Sequence, residues 1–290
     1  MRIADLHCDT LGEMYDRGLM FSDKTLDLCA PCIRDYDKYL QVTAVWSPKD
    51  LSNEECWQRF LGVCDMAGNT DFPANLNRVL AVEDARLIGG DLGRLDVMHA
   101  LGVRLLTLTW AGDSQIGGAH DSDEGLTAFG ERAVERCFEI GIIPDISHAS
   151  DALFRDVCRI SEAYGKPFVA THSNSRDVYY HRRNLTDDMY LAVAKSKGIT
   201  GVSLEPTHLG DKAGISDAVK HILHYFDLSE DHVCLGCDFD GRTSRTKGLE
   251  SAAQLADLGK ALVSAGLIED DVDRIFYRNA ERFLKENNII

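Results

Sequence analysis

Short apolar runs alternate along the chain with longer stretches whose apolar positions recur at helical spacing. The first kind reads as strand and the second as amphipathic helix. The pattern predicts strands at Ile3–His7, Val42–Trp46, Arg78–Glu83, Arg104–Thr109, Ile142–His148, Pro167–His172, Ile199–Leu204 and Val233–Asp238. Capping residues place helices between them. Ser52 and Glu55 form a capping box ahead of Cys56–Met66. Asp91 precedes Leu92–Leu101, which stops at Gly102. Thr127 opens Ala128–Ile140, Ser150 opens Asp151–Tyr164, and Thr186 opens Asp187–Lys197; each stops at a glycine. Repeated strand–helix units in one α/β chain of this length favour a (β/α)8 TIM barrel over a doubly wound sheet. No linker or low-complexity run divides the chain, so residues 1–290 are expected to form a single barrel domain. The one long connection, Ala111–Gly125, is rich in Gly, Asp and Ser and reads as a functional loop.

Composition narrows the function. A hydrophobic content of 44% and a charged content of 27% describe a globular chain with a sizeable core. Lys and Arg number 31 and Asp and Glu 47, a formal net charge of −16. That balance argues against nucleic acid and anionic membrane as partners. Arg2, Asp5 and Asp9 interrupt what would be a signal-peptide core, and a cytoplasmic location is expected. The nine cysteines include two C-x-x-C spacings, Cys29/Cys32 and Cys234/Cys237, too far apart in sequence to pair as zinc knuckles. They read as reduced, partly buried thiols.

The chemistry lies where strands end. His7 and Asp9 stand two residues apart at the end of the first strand. Residues at that spacing share a face, so an imidazole and a carboxylate converge while Cys8 points away. Zinc takes both ligand types. An H-x-D triplet alone is common by chance. Other strand ends answer it: Glu83 closes the third strand, His148 the fifth, His172 the sixth and Asp238 the eighth. In a (β/α)8 barrel these ends surround one mouth, which turns scattered polar residues into a metal-site prediction.

The stretches DLHCDT, LAVEDA, RLLTLTW, GLTAFG, IPDISHAS, THSNSR, HRRNLTDD and DHVCLGCDFDG occur in that order between residues 5 and 241. Together they resemble the membrane dipeptidase (renal dipeptidase-like) family of zinc peptidases, within the metal-dependent amidohydrolase superfamily. The resemblance implies a dipeptidase with two Zn²⁺ per chain. His7, Asp9 and Glu83 would hold one ion and Glu83, His148 and His172 the other, with Glu83 bridging. A hydroxide between the ions would be the nucleophile. Asp238 would transfer a proton to the leaving amine or contact the substrate's ammonium group. Arg183 matches the arginine that binds the substrate carboxylate, for which its planar fork suits; Arg182 beside it reads as a surface residue. The substrate implied is a small dipeptide, with a D-residue tolerated at the C-terminal position. A homodimer is one assembly the family adopts.

One position departs from the family. Many members read TLTH at the end of the fourth strand, whereas this chain has Trp110. An indole N–H donates one hydrogen bond but carries no transferable proton. Trp110 is therefore expected to bind substrate in a different way; His120 in the following loop is a candidate replacement but reads first as a loop residue. Asp240 reads as a turn residue before Gly241. The competing function is another binuclear amidohydrolase, or a phosphoesterase, acting on a small non-peptide substrate. Such sites usually carry histidine where this chain has Asp9.

Overall fold

The computed structural model describes residues 1–290. Seven parallel strands form one sheet: β1 (Arg2–Cys8), β2 (Lys38–Val45), β3 (Leu76–Glu83), β4 (Val103–Thr107), β5 (Ile143–Asp145), β6 (Thr200–Val202) and β7 (Val233–Leu235). Their order is β5-β4-β3-β2-β1-β7-β6. The segment 167–172, expected as a full strand, makes only single parallel bridges, Asp145 with Val169 and Ala170 with Thr200. Those bridges join the two sheet edges. Val169 N donates to Pro144 O at 3.0 Å, and Gly201 N donates to Ala170 O at 2.8 Å. The result is the closed eight-unit barrel read from the repeats.

Four other strands are shorter than the apolar runs suggested, and the fourth stops at Thr107, not Thr109. The fifth stops at Asp145, not His148, and the seventh at Val202. The eighth, β7, stops at Leu235, not Asp238. The reason is local backbone geometry beyond two of them. His148 has φ +68° and Asp238 φ +60°, a left-handed conformation that leaves the strand and that non-glycine residues adopt rarely.

Two layers of core follow from strand alternation. Ala4, Leu6, Leu40, Val42, Ala44, Val79, Ala81 and Leu105 belong to one buried cluster. They occupy alternate positions of their strands and fill the barrel. Tyr277, Phe283 and Leu284 from the C-terminal helical segment join that cluster. Asn279 Nδ2 donates to Val233 O at 2.9 Å, so this segment plugs the end where strands begin. The opposite mouth is left for the site. Between strands and helices lies a larger cluster of 61 buried residues.

The capped helices form as expected. The Ser52/Glu55 box opens Asn53–Gly68, and Ala128–Ile140 and Asp151–Tyr164 end at Gly141 and Gly165 in the left-handed conformation. The expected Leu92–Leu101 is Gly93–Ala100, and Asp187–Lys197 ends at Lys195. Helices at Thr10–Arg17, Ile215–Leu228 and Leu255–Ser264 add to those read from the sequence. No helix is long and apolar enough to cross a membrane.

The thiol reading needs one correction. Cys29 and Cys32 form a disulfide, with Cα atoms 5.1 Å apart. Cys29 caps the turn Ala30–Ile33, which brings the second sulfur back over the first within bonding reach. Cys234 and Cys237 remain free and buried.

Candidate metal centre and substrate cavity

The β1–β2 register slips between Asp5 and Cys8, so three residues of β1 span two of β2. This bulge lets Leu6 fill the barrel and still turns His7 into the mouth. Cys8 packs outward, as the spacing predicted. Asp9 follows at the start of Thr10–Arg17 but caps nothing. Both its carboxylate oxygens, and His7 Nε2, are buried without a hydrogen-bond partner. Orphaned buried acceptors are costly, and three converging on one point mark a place for a cation.

Glu83 divides its two oxygens between two groups. Oε2 lies 3.4 Å from His7 Nε2, and His7 Nε2 lies 3.5 Å from Asp9 Oδ2. Oε1 lies 2.9 Å from His148 Nε2 and 3.4 Å from His172 Nε2. The last two nitrogens are 3.0 Å apart. Tetrahedral zinc with bonds of 2.0–2.1 Å needs ligand atoms about 3.3 Å apart. Both sets match that edge length, so the residues present fit two ions sharing Glu83. Asp238 is the sixth member, with Oδ1 3.9 Å from His7 Nε2.

Electrostatics agrees with a cation site. Burial lowers the affinity of His7 for a proton, but Glu83 and Asp9 outweigh it and raise its pKa well above the usual value. Burial and the Glu83 charge push Asp9 up to about 6, and burial and its carboxylate neighbours raise Asp238 well above its usual value. Burial and the Arg183 charge pull His148 down to about 4, which keeps its ring neutral and free to ligate.

Above these groups opens a cavity of about 510 Å³ lined by Asp9, Glu83, Trp110, His120, His148, His181, Arg183, Glu205, His208 and Asp238, among others. His7 and His172, each 1% exposed, lie beneath it. Arg183 is buried and its partners are neutral. Nη1 donates to Ser173 Oγ and Nη2 to His172 O, both at 2.8 Å, and Nε has no partner. The guanidinium is thus held by one side, with its charge unmatched and its Nε donor free. Asn184 Nδ2 bonds to His208 O at 2.9 Å and to Tyr179 O at 2.8 Å, and Ser175 N donates to His221 Nδ1 at 3.1 Å, which fixes the loop behind it. Arg182 is a surface residue paired with Asp123 across the loop 111–125.

Trp110 lines the cavity 5.0 Å from the Trp46 ring, with Lys49 Nζ 5.1 Å over its face. His120 is brought in by its backbone, whose N–H donates to His148 O at 2.7 Å. Its ring stands 5.8 Å from that of His148, and its buried Nδ1 has no partner. Burial, with Arg183 nearby, pulls its pKa down to about 3. Asp240 does more than turn the chain. It accepts from Thr10 Oγ1 at 2.5 Å and Asp27 N at 2.7 Å, and so ties the loop before Cys29 to the mouth.

Sequence reasoning missed Glu205, His181 and His208. Glu205 follows the predicted strand Ile199–Leu204 and obeys the same strand-end rule as Glu83. It accepts from the backbone and hydroxyl of both Thr207 and Thr243, and holds two loops together at the rim. His181 lies in a loop and His208 in the one-turn helix Pro206–Leu209, where no periodicity singles them out.

Comparison with known proteins adds the family. The profile of the membrane dipeptidase family, peptidase family M19, matches residues 58–289. That stretch begins after His7 and Asp9, which the fold returns to Glu83. Dipeptidase aclJ of Aspergillus oryzae is 32% identical over 221 residues, 73% of this chain and 52% of that protein. The chain spans about half the length of the curated relatives it matches. The fold is shared with the M19 metallopeptidase dipeptidase AC, at TM-score 0.89 and 24% identity over 99% of this chain and 98% of that one. It is shared equally with a metallopeptidase from Rhodobacter sphaeroides bound to a phosphinate mimic of the dipeptide L-Ala-D-Ala, at TM-score 0.87, 24% identity and 99% of both chains. With most of its length matched by the profile, the chain belongs to the membrane dipeptidase family, M19.

Proposed function

We propose that residues 1–290 act as one catalytic barrel, a zinc dipeptidase that hydrolyses the single amide of small dipeptides. The observation that carries this reading is Glu83, whose two oxygens face two separate histidine sets beneath a cavity holding the unmatched charge of Arg183. His7, Asp9 and Glu83 would hold one ion, and Glu83, His148 and His172 the other. When bound, such a pair supplies a water of lowered pKa and a Lewis acid for the scissile carbonyl.

The chain's own residues do the rest. Arg183 binds the substrate's free carboxylate through N–H groups of its fork that Ser173 and His172 leave free, and so fixes the scissile amide over Glu83. Asp238, buried at the mouth beside His7, takes a proton from the attacking water and passes it to the leaving amine. Trp110 and Trp46 form an aromatic wall that excludes water from one side of the substrate. The phosphinate bound by the Rhodobacter protein supports tolerance of a D-residue at the C-terminal position here as well.

The test is hydrolysis of a panel containing L,L- and L,D-dipeptides, their C-terminal amides, and a phosphomonoester. Cleavage of the free-acid dipeptides is expected. Turnover of the phosphomonoester alone would assign a phosphoesterase, and turnover of the amides alone a different amidohydrolase.

A further inference from the structure

Two residues outside the proposed ligand set join both halves of the centre. Thr171 Oγ1 donates to Asp145 Oδ2 at 2.5 Å. A hydroxyl has one proton, so that donation leaves Oγ1 with lone pairs only. His172 Nδ1 lies 2.9 Å from it and His7 Nδ1 3.3 Å. Both ring nitrogens must then be the donors, which puts the lone pair of each Nε2 on the side of Glu83. The rings stack with centroids 3.7 Å apart, and one hydroxyl serves both.

Asp145 is equally constrained. It is fully buried. Its Oδ1 accepts from Ser147 N and Thr171 N at 2.9 Å each, and its Oδ2 also accepts from Thr107 Oγ1 at 2.6 Å. A carboxylate so engaged has no freedom to rotate away from Thr171. The backbone of Thr171 is clamped as well. A Cβ at Gly201 would lie 2.1 Å from Thr171 O and one at Gly236 1.9 Å, so both positions exclude any side chain.

We infer that Thr171 and Asp145 are the positioning pair of the metal centre, setting the tautomer and orientation of one histidine in each of the two ligand sets. The inference rests on the zinc reading above. Because His7 and His172 belong to different sets, losing the Thr171 hydroxyl weakens both sites together. His148 lies outside this pair, and its buried Nδ1 has no partner.

The experiment measures zinc affinity by competition with a chromophoric chelator on wild type, Thr171→Val, Thr171→Ser and Thr107→Val. Outer partners of ligating histidines are worth about 10–100-fold in metal affinity. Thr171→Val is expected to lose about that factor at both sites, and Thr171→Ser to stay near wild type. Thr107→Val is the control for fold. It removes one of four hydrogen bonds to Asp145 without touching a histidine, and should stay much closer to wild-type affinity than Thr171→Val does. Equal loss in Thr107→Val, or unchanged affinity in Thr171→Val, overturns the inference while leaving the zinc reading intact. A wild-type protein that binds no zinc overturns the zinc reading and the inference with it.

Discussion

Glu83 Oε1 lies 2.9 Å from His148 Nε2, while its other oxygen faces a different histidine, His7, at 3.4 Å. One carboxylate thus faces both candidate ligand sets. Glu83→Gln keeps the shape and removes the charge that both sets share. Zinc content should fall by at least one ion per chain, with the unfolding midpoint of the metal-free protein unchanged or raised. Elemental analysis and thermal unfolding on the same preparation check this; full occupancy in the variant would make Glu83 structural.

Arg183 separates a dipeptidase from a general amidase. A charge-assisted contact with a substrate carboxylate would be worth about 1.5–3 kcal/mol, or about tenfold to a hundredfold in kcat/KM. Arg183→Ala should lose that factor on free-acid dipeptides and Arg183→Lys somewhat less, with zinc content unchanged. Wild type should prefer the free acid strongly over its amide, and Arg183→Ala should not. Steady-state kinetics on the matched pair decide it.

His120 should matter although it binds no metal in this account. Its ring lines the cavity beside His148, where it can donate a hydrogen bond to a bound substrate. His120→Ala should lower kcat about a hundredfold or more, the range for one such donor, and leave zinc content alone. An unchanged kcat would return His120 to the status of a loop residue.

Acid should loosen the loop that carries Arg183. Arg176 in that loop makes two hydrogen bonds of 2.9 Å to Asp151, which hold the Asp151 carboxylate below its ordinary value of 3.8. A depressed carboxylate contributes stability above its unfolded pKa and loses it as pH falls through the folded value. Asp151→Asn should therefore unfold at a lower temperature than wild type at neutral pH, and the gap should close below pH 3.8. A gap that persists in acid would show that the ion pair is not its source.

Much of the centre was legible because strand ends are legible. Glu83, His148, His172 and Asp238 each stand where an apolar run stops, and the barrel gathers such ends. The bulge between Asp5 and Cys8 was not legible, since simple alternation cannot show a slipped register; His7 points inward only because of it. The sixth strand read as regular from its apolar residues, yet its pairing is reduced to single bridges around Val169 and Ala170. His120 was undervalued because a loop residue's position depends on distant partners, here the carbonyl of His148. The Cys29–Cys32 bond was missed for a different reason: scattered, odd-numbered cysteines argue for thiols, and only the fold shows which two meet.

Coupling between zinc binding and dipeptide hydrolysis tests the proposed centre most directly. The direct measurement strips the protein with a chelator, then adds Zn²⁺ in steps while following hydrolysis of one free-acid dipeptide. Activity should be absent at the start and rise to a plateau at about two ions per chain, as two ligand sets sharing Glu83 require. Full activity in the stripped protein, or zinc bound at two per chain with no dipeptide cleaved, would contradict it.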